Sequence, residues 1–298
     1  MRVLLIGLGD IARKAYLPVL YTRPDLEIHL ATRDQAVLDE VGSRFRVAHR
    51  YNSATQALAT TTFDAAFVHA ATTAHAELVR LLLEQNVPTF VDKPLADNLG
   101  DAEALVELAM DRGTPLAVGF NRRFAPDYVA LRGVDASLIV MEKHRDRQPD
   151  VARRVVYDDF IHVVDTLLFL APAPIRRRVI ETHVVDGLLH AITLMLAGDG
   201  FSAIGTMHRD SGLDEERLDV IGGGARHTVL NLADRIEARA MKNVHRRGDW
   251  IPVGRQRGFE AMCDDFLHAA GQRRPVDAAS ILATHEICEA IVRHSETA

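Results

Sequence analysis

Cysteine is nearly absent from this chain of 298 residues, which contains only Cys263 and Cys288. The two lie far apart and form no C-x-x-C spacing, so the sequence predicts neither a disulfide framework nor a structural zinc site. The 14 histidines show no ligand spacing such as H-E-x-x-H, and we predict no metal. Such a chain suits a reducing compartment, and a cytoplasmic location is expected.

A surplus of positive charge and long apolar runs are also missing. The formal net charge is -6 with histidine counted neutral, which argues against nucleic acid as the principal partner. No apolar run reaches the length that spans a membrane, and the first one, Val3 to Ile6, is too short for a signal sequence. We therefore expect no membrane partner. At 48%, hydrophobic residues suffice for two cores.

The first 120 residues or so alternate between short apolar runs and amphipathic stretches. The predicted strands are 2–6, 26–31, 63–68, 88–91 and 115–118, with a weaker one at 47–51. The predicted helices are 12–21, 35–45, 74–85 and 98–112. Regular alternation of strand and helix implies right-handed βαβ crossovers and a parallel sheet covered on both faces.

The regular alternation of strands and helices ends after the segment Gly119 to Phe124. The pattern predicts a short helix at 126–132, a strand at 136–143, a charged loop at 144–150 and a strongly apolar helix at 157–170. From 175 to about 243, short runs are separated by glycine-containing hairpin signals, which predict a largely antiparallel sheet. Two helices, 259–271 and 278–294, are predicted to follow.

The motif Gly7-x-Gly9-x-x-Ala12 follows a strand and opens a helix, the context in which it signals a dinucleotide. Gly7 permits the tight turn, Gly9 lets backbone N–H groups approach a pyrophosphate, and Ala12 allows close helix–strand packing. A tight turn without any ligand is the alternative. The expected cofactor contacts in this turn are Gly7, Leu8, Gly9, Asp10, Ile11 and Ala12.

The tip of the second strand bears on the choice between NAD and NADP. An acidic residue there would bind the ribose 2′-OH of NAD, whereas an arginine accommodates the 2′-phosphate of NADP. Thr32 and Arg33 occupy the expected tip and Asp34 comes one step later, so NADP is favoured over NAD. A shift of one residue in the strand end would reverse this interpretation.

Lys93 stands in Asp92-Lys93-Pro94, directly after an apolar run. Ligands of an open parallel sheet bind outside the carboxyl ends of its strands, so Lys93 could face whatever the first glycine turn holds. Pro94 restricts the conformation of Lys93 and helps to direct its amine. The alternative is an ordinary surface lysine beside a turn proline.

His75 opens the helix that follows the strand at 63–68. Thr72 or Thr73 could cap this helix. A position beyond the carboxyl end of a strand places His75 near the cofactor, although it could be no more than a residue of the first helical turn.

Asp158 and His162 are four residues apart on a predicted helix, and Asp165 continues the same face. An aspartate one turn from a histidine can orient the imidazole and stabilise its charged form, as a general acid or base requires. A polar stripe at a domain junction would show the same spacing.

Together these residues resemble the Gfo/Idh/MocA family of NAD(P)-dependent oxidoreductases. The resemblance is carried, in order along the chain, by the glycine motif, the turn 72–75, the tripeptide 92–94, the segment 119–124 and Asp158-x-x-x-His162-x-x-Asp165. Residues 91–98 and 158–166 look most like the MviM-type subgroup. The resemblance implies an α/β fold with a dinucleotide-binding Rossmann domain at 1–121. A substrate-binding and oligomerisation domain on an open, mainly antiparallel sheet would follow at 122–298.

The resemblance also implies residue roles. Lys93 would lie near the nicotinamide and the substrate oxygen, His162 would act as acid/base, and Asp158 would be its partner or a substrate ligand. The remaining cofactor contacts it implies are Thr72, His75, Asp92 and Arg123. Two departures affect the substrate pocket: Asp92 replaces the usual glutamate, and Phe160 replaces a glycine.

The expected reaction is hydride transfer between NADP(H), or NAD(H), and a hydroxyl or carbonyl carbon of a sugar, polyol or related small molecule. Two alternatives remain at this stage: a catalytically silent NADP-binding sensor, and a reductase of a non-sugar substrate such as an imine or a linear tetrapyrrole. A homodimer or homotetramer formed through the C-terminal sheet is the expected assembly.

Overall fold

The computed structural model describes residues 1–297. Its first six strands are β1 (Arg2–Ile6), β2 (Glu27–Ala31), β3 (His49–Tyr51), β4 (Ala65–Val68), β5 (Thr89–Val91) and β6 (Leu116–Val118). The helices among them are α1 (Leu17–Leu20), α2 (Gln35–Arg44), α3 (Ala54–Thr60), α4 (His75–Glu84) and α5 (Leu99–Arg112). A π-helical turn, Ala12–Tyr16, runs directly into α1.

The six strands form one parallel sheet in the order β3-β2-β1-β4-β5-β6, which confirms the predicted parallel domain. The order reverses between β1 and β4, and ligands of such sheets bind at this switch point, outside the carboxyl ends of the strands. The helix α3 was not predicted. It has only seven residues and depends on a cap, in which the Ser53 hydroxyl accepts a hydrogen bond from the Gln56 N–H at 3.0 Å.

Later strands are β7 (Leu138–His144), β8 (Ile175–Val185), β9 (Leu188–Gly198), β10 (Phe201–His208), β11 (Glu215–Gly222), β12 (Ala225–Leu230), β13 (Asp234–Arg239) and β14 (Met241–Arg246). Later helices are α6 (Pro126–Val129), α7 (Ala152–Val155), α8 (Ile161–Leu170), α9 (Val253–Gln256), α10 (Phe259–Gln272) and α11 (Ala278–Thr297). Within residues 1–297, no helix is long and apolar enough to cross a membrane.

These eight strands form a second sheet in the order β14-β13-β12-β11-β7-β10-β9-β8. Only the β7–β10 pair is parallel, so the predicted mainly antiparallel sheet is confirmed. The helix α8 packs closely on this sheet because Gly205 of β10 has no side chain. A Cβ at Gly205 would lie 2.5 Å from Cγ1 of Val163.

The apolar helix predicted at 157–170 begins earlier than expected. Helical structure starts with α7 at Ala152 and continues through a π-helical turn, Val156–Phe160, into α8. The predicted start was wrong because charged residues in α7 and in the π-helical turn interrupt the apolar periodicity without ending the helix.

The chain divides into two compact units, and their bounds differ from the predicted domains 1–121 and 122–298. One unit comprises Met1–Gly119 together with Phe259–Leu282, and the other comprises Phe120–Gly258 and the residues from Ala283 onward. The helix α10 belongs to the first unit because its Phe266 packs edge-to-face on Phe67 of β4, with ring centroids 5.1 Å apart. Helical periodicity in the sequence does not reveal which sheet a helix covers.

Candidate functional site

A cavity of about 520 Å³ lies at the carboxyl ends of β1, β2, β3 and β4. It therefore coincides with the switch point of the parallel sheet. Five predicted cofactor residues line it: Gly7, Leu8, Gly9, Thr32 and Arg33. Its wall also includes His69, which the sequence analysis did not single out.

The two glycines of the first turn meet different requirements. Gly7 has a φ of +84°, and a Cβ there would lie 2.5 Å from the backbone nitrogen of Ala70, so only glycine fits this close approach of two turns. A Cβ at Gly9 would have nothing within 4 Å. The protein thus leaves open space above Gly9, where the motif would place a pyrophosphate.

The second half of the predicted turn does not line the cavity. Asp10 is exposed, and its carboxylate lies 2.6 Å from the ammonium of Lys14. Ile11 is also exposed, whereas Ala12 is fully buried, as expected of a residue that permits close helix–strand packing. Contacts of these three side chains with a cofactor remain a prediction.

The structure shows where β2 ends, which the sequence left uncertain by one residue. The strand stops at Ala31, and the Asp34 carboxylate caps α2 by accepting a hydrogen bond from the Val37 N–H at 3.1 Å. Arg33 is exposed at the cavity and makes no hydrogen bond or ion pair with any residue in the described part of the chain, 1–297. Its contact with a cofactor remains a prediction.

Lys93 is the second residue after β5, and its neighbour Asp92 is bound by Tyr16 at the end of the π-helical turn. The Tyr16 hydroxyl donates a hydrogen bond of 2.7 Å to Oδ1 of Asp92. Desolvation raises the pKa of the Asp92 carboxyl above its ordinary value, while the Lys93 ammonium and the Tyr16 hydroxyl oppose that rise. The Lys93–Pro94 peptide bond is cis.

His75 connects the loop after β4 to the loop after β5. Its side chain is buried, with Nδ1 2.7 Å from the carbonyl oxygen of Pro94 and Nε2 3.0 Å from that of Ala70. Both ring nitrogens of His75 thus face backbone carbonyls, and the residue does not line the cavity. Neither Thr72 nor Thr73 caps α4: the capping position is Ala74, without a side-chain bond, because a 3₁₀ turn, Thr72–Ala74, precedes the helix.

In the second unit, Asp165 pairs with Arg123. Both carboxylate oxygens of the buried Asp165 accept hydrogen bonds from Nε of Arg123, at 3.0 and 3.1 Å. Burial raises the pKa of Asp165, although the Arg123 guanidinium opposes the rise. The predicted polar stripe therefore includes a buried ion pair, and this guanidinium, predicted to contact cofactor, is engaged within its own unit.

His162 and Asp158 lie on the same helical segment as Asp165. His162 is half-buried in the first turn of α8, and its carbonyl accepts a hydrogen bond of 2.7 Å from the Thr166 hydroxyl. Asp158 is half-exposed in the π-helical turn, with its carboxylate 3.9 Å from Nε of Arg154. Their roles in catalysis stay a prediction.

Sequence reasoning missed a cationic cluster around Asp159, which we define as Lys143, Arg145 and Arg209. Arg145 binds the Asp159 carboxylate through two hydrogen bonds of 2.8 and 2.9 Å, Arg209 adds one of 2.7 Å, and Lys143 is also paired with it. Although burial opposes the effect, Lys143 and Arg145 hold the pKa of Asp159 well below its usual range. One signal was present: Lys143 continues the inward-facing alternation of Ile139 and Met141 on β7.

A group of three possible metal ligands lies at the opposite ends of the strands from the cavity. Within residues 1–297, Glu27, His29 and His49 form the one group with ligand atoms all within 4.8 Å of one another. Nε2 of His29 is 3.0 Å from Oε1 of Glu27, and the two imidazoles stack with centroids 4.2 Å apart. No motif spacing shows this group, because its members come from two strands.

Comparison with known proteins shows the family to which this chain belongs. Residues 1–120 match the model of the oxidoreductase family with an NAD-binding Rossmann fold, and residues 126–240 match that of the YceM-like C-terminal domain. The chain is 35% identical to YceM of Salmonella typhimurium, across 90% of this chain and 88% of that protein. It belongs to the Gfo/Idh/MocA family of oxidoreductases, and it is an enzyme of the NAD(P)-dependent dehydrogenase/reductase type.

Two solved structures share the whole fold. A Gfo/Idh/MocA family oxidoreductase from Vibrio cholerae is 32% identical with a TM-score of 0.93, covering 100% of this chain and 98% of that one. The dehydrogenase MviM from Clostridium difficile is 28% identical with a TM-score of 0.93, covering 99% of each chain. The resemblance to the MviM-type subgroup is thereby confirmed.

One further relative is named for its substrate. The myo-inositol dehydrogenase Hyg17 of Streptomyces leeuwenhoekii is 35% identical, across 54% of this chain and 51% of its own length.

Proposed function

We propose that the chain catalyses reversible hydride transfer between a nicotinamide dinucleotide and a hydroxyl or carbonyl carbon of a sugar, polyol or related small molecule. The observation that carries the proposal is the cavity at the switch point, lined by Gly7, Gly9 and Arg33. Its residues fit the cofactor: open space lies above Gly9, and a guanidinium without a protein partner stands at the β2 tip. The relative named myo-inositol dehydrogenase supports the substrate class.

The catalytic roles we propose belong to Lys93, His162 and Asp158. A bound nicotinamide supplies the group that accepts or donates the hydride. In the oxidation direction, His162 would take the proton of the substrate hydroxyl, with Asp158 stabilising the charged imidazole. The Lys93 ammonium would stabilise the negative charge that develops on the substrate oxygen.

We propose NADP as the preferred cofactor over NAD. Arg33 and Asp34 both line the cavity, but the Asp34 carboxylate is occupied as the cap of α2. An arginine at this position accommodates the 2′-phosphate that distinguishes NADP from NAD.

The experiment is a reduced-nicotinamide absorbance assay over a panel of sugars, polyols and imines, with NAD and NADP in parallel. We expect turnover of a sugar or polyol, its loss in Lys93→Ala and His162→Ala, and dinucleotide binding largely intact in both variants. Lys242→Ala and His268→Ala, which change exposed residues of the same types, are the matched controls. Full activity in both test variants would refute the roles, and turnover of imines alone would refute the substrate class. Tight NADP binding without any turnover would show a sensor instead.

We also propose that copies of the chain associate through the second sheet as a homodimer or homotetramer. Its two edge strands and the adjoining β9 carry exposed apolar side chains: Val179, Val185, Leu188, Met241 and Val244. Light scattering after size-exclusion chromatography tests this, and a monomer at micromolar concentration would refute it.

A further inference from the structure

His69 is a buried residue whose ring nitrogens have no partner within the described chain. It directly follows β4, is 3% exposed and lines the cavity with Gly7 and Gly9. Across residues 1–297, neither its Nδ1 nor its Nε2 makes a hydrogen bond. Buried polar atoms in native proteins are nearly always hydrogen-bonded, so two orphaned nitrogens at a cavity wall call for a partner that enters the cavity.

Aromatic packing holds this ring in place. The Tyr16 ring lies against it with centroids 4.1 Å apart and an interplanar angle of 37°, and the Phe67 ring lies 6.0 Å away. The Tyr16 hydroxyl is directed to Asp92, so it does not serve the imidazole. The backbone nitrogen of His69 donates a 2.7 Å hydrogen bond to the carbonyl of Ile6, which fixes the turn beside the glycine motif.

The order of the strands indicates which part of a dinucleotide would reach His69. The β2 tip with Arg33 would take the adenosine ribose, and the turn after β1 would take the pyrophosphate. β4 is the next strand along this edge, and β5, which ends at Val91 two residues before Lys93, follows. His69 therefore lies on the nicotinamide side of the pyrophosphate turn.

The protonation state of His69 limits the chemical groups that can pair with its ring nitrogens. Desolvation, together with the charge of His75, lowers the pKa of His69 to about 3, so the ring is neutral at physiological pH. A neutral imidazole offers one donor and one acceptor. The carboxamide and the ribose hydroxyls of a nicotinamide riboside can donate as well as accept, so together they offer a partner for each nitrogen, whereas a phosphate can only accept and would leave one of them unpaired.

We propose that His69 is a binding residue for the nicotinamide riboside half of the dinucleotide, with one ring nitrogen donating and the other accepting a hydrogen bond. This inference rests on the proposed function, since it takes the cavity as a dinucleotide site. It adds a cofactor contact at a position that neither the glycine motif nor the Asp92-Lys93-Pro94 tripeptide includes.

The test compares two ligands, one of which lacks the whole nicotinamide riboside. NADP+ and 2′-phospho-ADP, which ends at the diphosphate, are titrated calorimetrically into the full chain. The variants are His69→Phe, which keeps a ring against Tyr16 but removes both nitrogens, and His69→Gln, which restores a donor and an acceptor. His268→Phe, an exposed histidine in α10, is the matched control.

We expect His69→Phe to bind NADP+ about tenfold more weakly, the loss expected for one or two buried hydrogen bonds. Its affinity for 2′-phospho-ADP, which has no group assigned to His69, should change by less than about twofold. His69→Gln should recover part of the loss, and His268→Phe should match the wild type. Unchanged NADP+ binding in His69→Phe would overturn the proposal, and so would an equal loss for both ligands. If the wild type binds neither ligand, the proposed function itself fails.

A measurement on the unmodified chain covers the case in which these variants do not fold. Ring nitrogen-15 NMR is recorded with each ligand. We expect NADP+ to move both ring nitrogen signals of His69, and 2′-phospho-ADP to leave them in place. Signals that NADP+ does not move would refute the contact.

Discussion

The Tyr16 hydroxyl donates a 2.7 Å hydrogen bond to Oδ1 of Asp92, across 76 residues of sequence. The bond joins the first helical turn after the glycine motif to the residue before Lys93. Gly119 makes room for it, since a Cβ at that position would lie 2.9 Å from both bonded oxygens. The departure from the usual glutamate at position 92 is thus accommodated by a tyrosine that reaches the shorter carboxylate.

Removal of this bond should destabilise the protein. Tyr16→Phe leaves the Asp92 carboxyl without its hydroxyl donor, and we expect a loss of about 1–3 kcal/mol in the free energy of unfolding. Urea denaturation followed by circular dichroism measures it. Tyr21→Phe, which removes an exposed hydroxyl, is the control and should change stability by less than about 0.5 kcal/mol. Equal stability of the two variants would argue against the bond.

The two glycines of the first turn should respond differently to alanine. Gly7→Ala forces a Cβ to within 2.5 Å of backbone at a φ of +84°, so we expect a loss of stability of more than about 2 kcal/mol. Gly9→Ala meets no protein atom within 4 Å, so its melting temperature should stay near that of the wild type. Its dinucleotide affinity should fall about tenfold or more, because the new methyl occupies the approach to the pyrophosphate. Wild-type dinucleotide affinity in Gly9→Ala would contradict the assigned turn.

Arg33 should discriminate between the two cofactors. Arg33→Ala removes charge-assisted hydrogen bonds to a 2′-phosphate, and the affinity for NADPH should fall about 10- to 100-fold. The affinity for NADH should change by about twofold at most, since no such phosphate is present. Fluorescence titration of both nucleotides measures the ratio. Arg80→Ala, an exposed arginine on α4, controls for net charge, and parallel losses for NADPH and NADH would remove the basis for an NADP preference.

Lys143 should make the stability of the protein depend on pH in the neutral to alkaline range. Desolvation and the charge of Arg122 lower the pKa of the buried Lys143 to about 7 from its ordinary 10.5. Between these values the unfolded chain binds more protons than the folded one, so stability rises with pH, by up to about 1.4 kcal/mol per pH unit. The difference in unfolding free energy between the wild type and Lys143→Met should therefore grow from pH 7 to pH 10.

The control for this pH dependence is Lys242→Met, which changes an exposed lysine on β14 and should give a difference that does not vary with pH. Urea unfolding at half-unit intervals of pH provides the curves. A constant difference for Lys143→Met would show that the buried amine keeps its ordinary pKa.

Local patterns were sufficient for much of the fold. The apolar runs predicted all six strands of the parallel sheet to within a few residues, because strand and helix periodicities are properties of neighbouring residues. The residue at the tip of β2 was ambiguous by one position in the sequence, and only the structure shows that the strand ends at Ala31 and that the Asp34 carboxylate accepts the Val37 N–H bond.

Pairings across long stretches of sequence were not predictable. Arg122 binds Glu216 at a separation of 94 residues, and the cationic cluster around Asp159 comes from one strand, β7, and the loops after β7 and β10. The docking of α10 on the first unit likewise depends on contacts between Phe266 and Phe67. Such contacts follow from topology, and the periodicity of a single segment contains no information about its partner.

By itself, the sequence determined that the chain has a dinucleotide motif, a parallel sheet followed by a mainly antiparallel one, and family residues in the expected order, because these are local patterns read along the chain. Only the tertiary structure decided that the Asp34 carboxylate at the cavity caps a helix while the Arg33 guanidinium does not, and that Asp92 is bound by Tyr16. It also decided that His69 is buried at the cavity wall, with neither ring nitrogen paired to any of residues 1–297. The physical reason is that burial, desolvation and the hydrogen bonds of a side chain depend on residues that the fold, and not the order of the chain, brings beside it.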